Sequence, residues 1–147
     1  MFKNILVPVD GSEHALKALE LAGDLADKYG CDLTVLHVRS KEISEEFRAY
    51  IEVEYTEKER EDMPGILEKT GNKLINALIK KAKPMESPKT VVLYGDPAAN
   101  IIKYVKANNI DTVVMGCRGM SDLKGLLVGS VSHKVSNLIE CTCIMVK

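Results

Sequence analysis

Apolar and polar positions along the chain keep two alternating rhythms. "KNILVPVD", "DLTVLHV", "KTVVLYG", "DTVVMG" and "TCIMVK" are short apolar runs flanked by charged or turn-forming residues. Their length and their wealth of Val and Ile predict strands, and the near-continuous runs Val91-Val92-Leu93 and Val113-Val114-Met115 predict a sheet buried on both faces. Between the strands the period lengthens. Ala15, Leu19, Ala22, Ala26 and Tyr29 recur at four, three, four and three, one face of a helix. Ser12 is placed to cap that helix and Gly30 to stop it. Pro64 suits a first helical turn, and Leu67, Thr70, Leu74 and Leu78 carry a face to about Lys81. Asp96-Pro97 starts another helix whose buried face is Ile101, Ile102 and Val105. Val131, Val135 and Leu138 predict a last helix beginning near Ser130.

The order is β-α-β-(excursion)-α-β-α-β-α-β. Strands alternating with helices require parallel pairing and right-handed crossovers. The expectation is one α/β domain over residues 1–147, a doubly wound five-stranded parallel sheet with helices on both faces, Rossmann-like. The chain has 147 residues, enough for one core.

Residues 42–62 break the rhythm. They hold nine acids against Arg48, Lys58 and Arg60, a surplus of six negative charges. Such a run reads as a solvated, partly mobile excursion spanning about residues 40–65. Phe47, Tyr50, Ile51 and Tyr55 within it keep open a second reading, a docking segment for an unknown protein partner.

A formal net charge of −1 argues against a nucleic-acid partner held by bulk electrostatics. No apolar stretch approaches the roughly 20 residues of a membrane span, so no membrane association is expected. The start, "MFKNILVPVDGS", is broken by Pro8 and Asp10 and does not read as a signal peptide. Cys31, Cys117, Cys141 and Cys143 form no C-x2-C pair, which leaves zinc and thioredoxin-like chemistry without support. Cys141 and Cys143 read as small buried hydrophobes, Cys117 as a bystander rather than a thiol sensor, and the protein as reduced and cytoplasmic.

The stretch "GCRGMSDLKGLLVGS", residues 116–130, carries the candidate chemistry. It leaves the fourth strand and enters the last helix, with Gly116, Gly119, Gly129 and Ser130 in the spacing G-x2-G-x9-G-S and Gly125 as an extra. In a doubly wound sheet, ligands bind beyond the carboxyl ends of the strands. There Gly116 and Gly119 allow positive φ and a close backbone approach to a ligand. Successive N–H groups in such a turn make an anion nest, and the helix opening at Gly129-Ser130 favours phosphate as well. Neither G-x-G-x-x-G after the first strand nor G-x-x-x-x-G-K-[ST] is present. A tight turn and a helix start remain the plainer use of these glycines.

With "ILVPVDGS", "LHV", "GDPAANIIKYVKANNIDTVVMG" and "GSVSHKVSNLIECTCIMVK" in register with the glycine pattern, the chain resembles the ATP-binding branch of the universal stress protein family. The resemblance covers nearly all of the chain apart from residues 40–65. It implies a Rossmann-like, adenine-nucleotide alpha-hydrolase-like domain that binds ATP with Mg2+ and acts as a nucleotide-dependent regulatory or stress-response module. It implies that Pro8 and Val9 line the adenine, that Asp10 holds the ribose hydroxyls, and that Val38 meets the adenine edge through its backbone. Met115 and Gly116 would flank the ribose, and Gly119, Gly129, Ser130 and Val131 would hold phosphates. Arg118, inside G-x2-G, is placed to add a phosphate contact, or else is a solvated loop charge. The family also implies a homodimer through the last strand, residues 142–146, whose bare apolar edge is a pairing template. Thr142 stands where the family often has proline.

Enzymatic readings are weaker. Asp10, Ser12 and His14 lie on one turn, whereas a triad needs several segments. His37 reads as a buried, hydrogen-bonded histidine. His133 and Asp122 are the only nearby candidates for a base, and no Walker lysine is present. The alternatives to a regulatory module are a slow ATPase or kinase-like enzyme and a nucleotide-free dimeric interaction protein.

Overall fold

The computed structural model describes residues 2–119 and 128–147. Asp122 and Gly125 lie outside them. The elements are β1 Asn4–Pro8, α1 Glu13–Tyr29, β2 Asp32–Arg39, α2 Glu45–Glu54, α3 Glu57–Arg60, α4 Met63–Lys81, β3 Lys89–Tyr94, α5 Pro97–Ala107, β4 Thr112–Gly116, α6 Ser130–Leu138 and β5 Thr142–Val146. The five strands form one parallel sheet in the order β3-β2-β1-β4-β5. Chain progression therefore reverses between β1 and β4, and β3 and β5 are the outer strands. The expected doubly wound α/β fold is the one observed.

Each sheet face carries its own core. Ile5, Val7, Val35 and Val114 pack with α1 and α4 through Leu19, Ala22, Ile75 and Leu78. Leu6, Leu36, Val113 and Met115 pack with α5 and α6 through Ile101, Val105 and Val135. Neighbouring residues of β1 thus face opposite cores, the period-2 geometry that makes its apolar run continuous. Leu6 and Leu36 are fully buried, so truncating either to alanine costs about 2–5 kcal/mol.

Local sequence accounts for the ends of the helices. Ser12 caps α1 by accepting from the Ala15 N–H, and Gly30 ends it at φ 62 with its N–H on the Ala26 carbonyl. Asp62 caps α4 and Asp96 caps α5, each followed by proline in the first turn. Helix faces were less legible. The buried row of α4 is Ile66, Thr70, Gly71, Ile75 and Leu78, with Leu67 and Leu74 only half-buried. Gly71 places the helix tight against β3, since a Cβ there would meet Val92 Cγ1 at 2.7 Å. Tyr29 and Leu138, both expected on buried faces, are each 53% exposed. Tyr29 packs on Phe2 at the helix end instead, and α6 turns Ser132 and Val135 to the core.

The charged excursion holds the two helices α2 and α3. Ser44 caps α2, and Thr56 with Glu59 forms a capping box that starts α3. Ile51 is buried while the acids face solvent, and the Arg39 guanidinium at the end of β2 lies 4.4 Å from the Phe47 ring centroid. The spacing of Thr56 and Glu59 already carried the capping signal.

Asp111 ties three strands. Its Oδ2 accepts from the Lys3 and Asn4 N–H groups, and its carbonyl accepts from Thr142 N–H at 3.1 Å. Proline could not supply that last bond, so Thr142 is a sound entry to β5. Among the described residues no helix is long and apolar enough to cross a membrane. All four cysteines are free thiols. Burial pushes the thiols of Cys31, Cys141 and Cys143 up, away from the reactive thiolate.

Candidate functional site

Where β1 and β4 diverge, the chain opens a cavity. β1 ends at Pro8, opposite Leu36, and the Val9 N–H makes one more bond to the Leu36 carbonyl at 2.8 Å. The backbone then leaves the sheet through Gly11 at φ 87. Ser12 N–H donates to Asp10 Oδ1 at 3.0 Å, which sets the carboxylate at the turn. Below the turn, His37 Nδ1 donates to the Val9 carbonyl at 2.7 Å. Burial pushes the His37 imidazole below its ordinary value, with the Val9 bond opposing, so the ring is held neutral. His37 is therefore a buried clamp on the turn that presents Val9 and Asp10.

The cavity has a volume of about 200 Å³. Of the residues expected there, Pro8, Val9, Asp10, Val38, Met115, Gly116, Arg118, Gly119 and Val131 line it. Gly129 and Ser130 do not line it. Gly129 is the N-cap residue of α6, and Ser130 is the first residue of that helix. Sequence reading missed Ser12, Ala15, Leu36, Pro97, Ile101 and Ser132, which complete the wall. Leu36 carried a usable signal, because it has the same strand parity as Val38. The others come together only through packing of α1, α5 and α6.

Val38 contributes geometry beyond its side chain. Alternate residues of a parallel strand direct their amides to alternate neighbours. Leu36 bonds toward β1, so Val38 turns its N–H and C=O to the same side, two residues past the point where β1 has ended. A donor and an acceptor thus lie side by side at the cavity edge.

Gly116 has a packing reason to be glycine beside the expected approach to a ligand. Its φ is not positive. A Cβ there would meet His14 Cβ at 2.7 Å and the His14 carbonyl carbon at 2.8 Å, so the residue lets α1 lie against the end of β4. Around it the loop is pinned at both described ends. Gly129 N–H donates to the Cys117 carbonyl at 2.6 Å, and Ser132 Oγ donates to the Gly116 carbonyl at 2.8 Å. Among the described residues no side chain makes a capping bond at Gly129, the N-cap of α6. Its positive dipole end is therefore presented beside the cavity.

The candidate acid–base residues have other work. Ser12 Oγ caps α1, and His14 contacts Val146, Cys117 and Arg118, so Asp10, Ser12 and His14 form no relay. His133 does not line the cavity, and its Nε2 accepts from Asn137 on its own helix at 3.2 Å. Among the described residues no group of three His, Cys, Asp or Glu side chains could hold a metal ion.

An apolar slot at the switch point of a parallel sheet, with one carboxylate and a helix N-terminus at its mouth, defines the class of small α/β domains built around a ligand crevice. The particular family follows from comparison with known proteins. The family model for the universal stress protein family matches residues 1–147, and the chain belongs to that family. It is 34% identical over 148 residues to universal stress protein YxiE of Bacillus subtilis, covering 100% of both chains. A universal stress protein of Thermus aquaticus is 31% identical over 147 residues, again with 100% of both covered. Among solved structures, universal stress protein UspA from Lactobacillus plantarum superposes with a TM-score of 0.75 at 24% identity, over 99% of this chain and 98% of that one. The same fold occurs in a universal stress protein in complex with cAMP, with a TM-score of 0.67 at 22% identity over 99% and 97%. It occurs also in one from Archaeoglobus fulgidus in complex with dAMP, with a TM-score of 0.59 at 18% identity over 100% and 98%.

Proposed function

We propose that this chain is a nucleotide-dependent regulatory module that binds ATP, with Mg2+ carried on the phosphates. The observation behind this reading is the pairing, in one cavity, of the Asp10 carboxylate, the Val38 amide edge and the approach to the α6 N-terminus. Adenine presents an amino donor beside a ring-nitrogen acceptor, which complements a C=O beside an N–H. Guanine presents the reverse order. The Pro8, Val9 and Met115 side chains supply apolar walls for the base, and Asp10 accepts from the two ribose hydroxyls. At about 200 Å³ the cavity is smaller than the roughly 300–1,000 Å³ of common ligand clefts. It suits the nucleoside, and the phosphates extend past Arg118 and Gly119 toward Gly129, Ser130 and Val131. Complexes of two relatives with cAMP and dAMP agree with an adenine ligand in this fold. No carboxylate cluster is available to fix Mg2+ among the described residues, so the ion would take its ligands from phosphate and water.

Calorimetry tests the reading. ATP is expected to bind at about micromolar dissociation constant or tighter. Gly129→Val should weaken it at least about tenfold in a folded protein. An unchanged affinity would remove the phosphates from this loop.

The protein is further proposed to dimerise through β5. That strand is an outer one, and Met145 on it and Leu138, at the end of α6, are exposed large hydrophobics. Ile144 packs toward the core, so Met145→Lys is the cleaner probe. Light scattering should report a dimer at micromolar concentration, and a shift to monomer in the variant.

A further inference from the structure

Arg118 does not extend into solvent. Its Nη2 lies 3.2 Å from His14 Nε2. A guanidinium only donates and stays charged, so His14 Nε2 must be the acceptor and carry no proton. The ring proton then sits on Nδ1, which lies 3.4 Å from the Val146 carbonyl oxygen and 3.4 Å from Cys117 Sγ. Both are acceptors for that proton. The imidazole is thereby oriented from behind, by the end of β5, and holds the arginine in front, at the cavity wall. Its own backbone is locked by the close approach of Gly116.

We propose that His14 is a positioning residue that preorganises Arg118, and that the pair makes the site select for phosphate charge on the nucleotide. A flexible arginine loses side-chain entropy when it meets a phosphate; one already held at the cavity wall loses less. The nucleoside part of a ligand meets Pro8, Asp10 and Val38 instead, so the pair acts on ATP and leaves adenosine untouched. This selectivity rests on the adenine-nucleotide reading above. The contact itself does not, since it lies between two of the chain's own side chains.

Two measurements separate the cases. The first is nitrogen-15 NMR of the histidine rings without ligand at neutral pH. His14 should be the Nδ1–H tautomer, and in Arg118→Gln it should move toward the Nε2–H form that free histidine prefers. An Nε2–H ring in the unaltered protein overturns the pairing whatever the ligand. The second is calorimetry with adenosine and with ATP. Arg118→Gln and His14→Leu should each weaken ATP about tenfold and adenosine less than about twofold. His14→Gln, which keeps a neutral acceptor, should restore ATP binding. The double variant His14→Leu/Arg118→Gln should bind no worse than Arg118→Gln alone, the signature of a shared contact. Equal losses for adenosine and ATP in His14→Leu, or additive losses in the double variant, overturn the positioning role. If the unaltered protein binds neither ligand, the nucleotide reading and the selectivity fall together, and the tautomer still decides the pairing.

Discussion

The two ends of the sheet both carry a hollow, and the smaller one is the candidate site. At the amino ends of β2 and β3 a broad depression of about 880 Å³ runs between Gly30, Cys31, Asp32 and Asn108. At the carboxyl ends the cavity around Asp10 and Met115 is about 200 Å³. Volume alone would pick the amino end. The amino end receives the C-termini of α1 and α5, capped at Gly30 and Asn108, and its wall includes Asp27, Asp32 and Glu86. Helix carbonyl ends and carboxylates repel phosphate. The carboxyl end has apolar walls, one carboxylate and, beside them, the start of α6. In a parallel α/β sheet the helix dipoles divide the labour between the ends, before any particular side chain is chosen.

Four experiments press on that contrast, from the largest effect to the smallest. Gly116→Val should break the carboxyl end outright, because its Cβ collides with the α1 backbone rather than with a movable side-chain tip. A loss of about 1–3 kcal/mol in denaturant titration is expected, as for overpacking elsewhere. Asp10→Ala should spare the fold and weaken adenosine about tenfold, with a much smaller loss for 2′-deoxyadenosine, which has one hydroxyl fewer to offer. Equal losses for both would take the ribose away from Asp10.

Acid should act next, through His37. Burial lowers its pKa from 6.5, so below about that pH the unfolded chain takes up a proton that the folded chain refuses. The stability contributed by the neutral ring is full above pH 6.5 and declines as pH falls toward the depressed folded value. Chemical denaturation at stepped pH should show this decline, and His37→Asn, which titrates nothing there, should flatten it. The smallest effect belongs to the amino end. Asp32→Asn and Lys89→Ala, both on the wall of the larger hollow, should leave ATP affinity within about twofold. A larger change would mean that the ligand sits at the wrong end of the sheet.

Much of the fold was legible because it is written in local signals. Ser12 and Gly30 bracket α1, and Asp96-Pro97 opens α5, since caps act over three or four residues. Nine of the eleven expected ligand residues line the cavity, because all but Val131 sit at or just past the carboxyl ends of β1, β2 and β4 in sequence. Within the excursion, Thr56 and Glu59 spell out a capping box beneath the charge run.

What sequence alone determined, then, is the five strands, the helices α1, α4, α5 and α6, and which loops leave the carboxyl ends. Both follow from short-range periodicity and capping, which need no partner from elsewhere in the chain. Tertiary structure decided the rest. The order β3-β2-β1-β4-β5 arises from the handedness of crossovers and the covering of both faces. It brings His14 under Gly116 and Arg118, more than a hundred residues away. It also exposes Leu138 while Val135 is buried, although both fit one helical face. A periodic pattern states that a helix has an apolar side. Only the neighbouring helix and sheet fix the angle at which that side meets the core, because burial is a property of contacts between segments and not of any one of them.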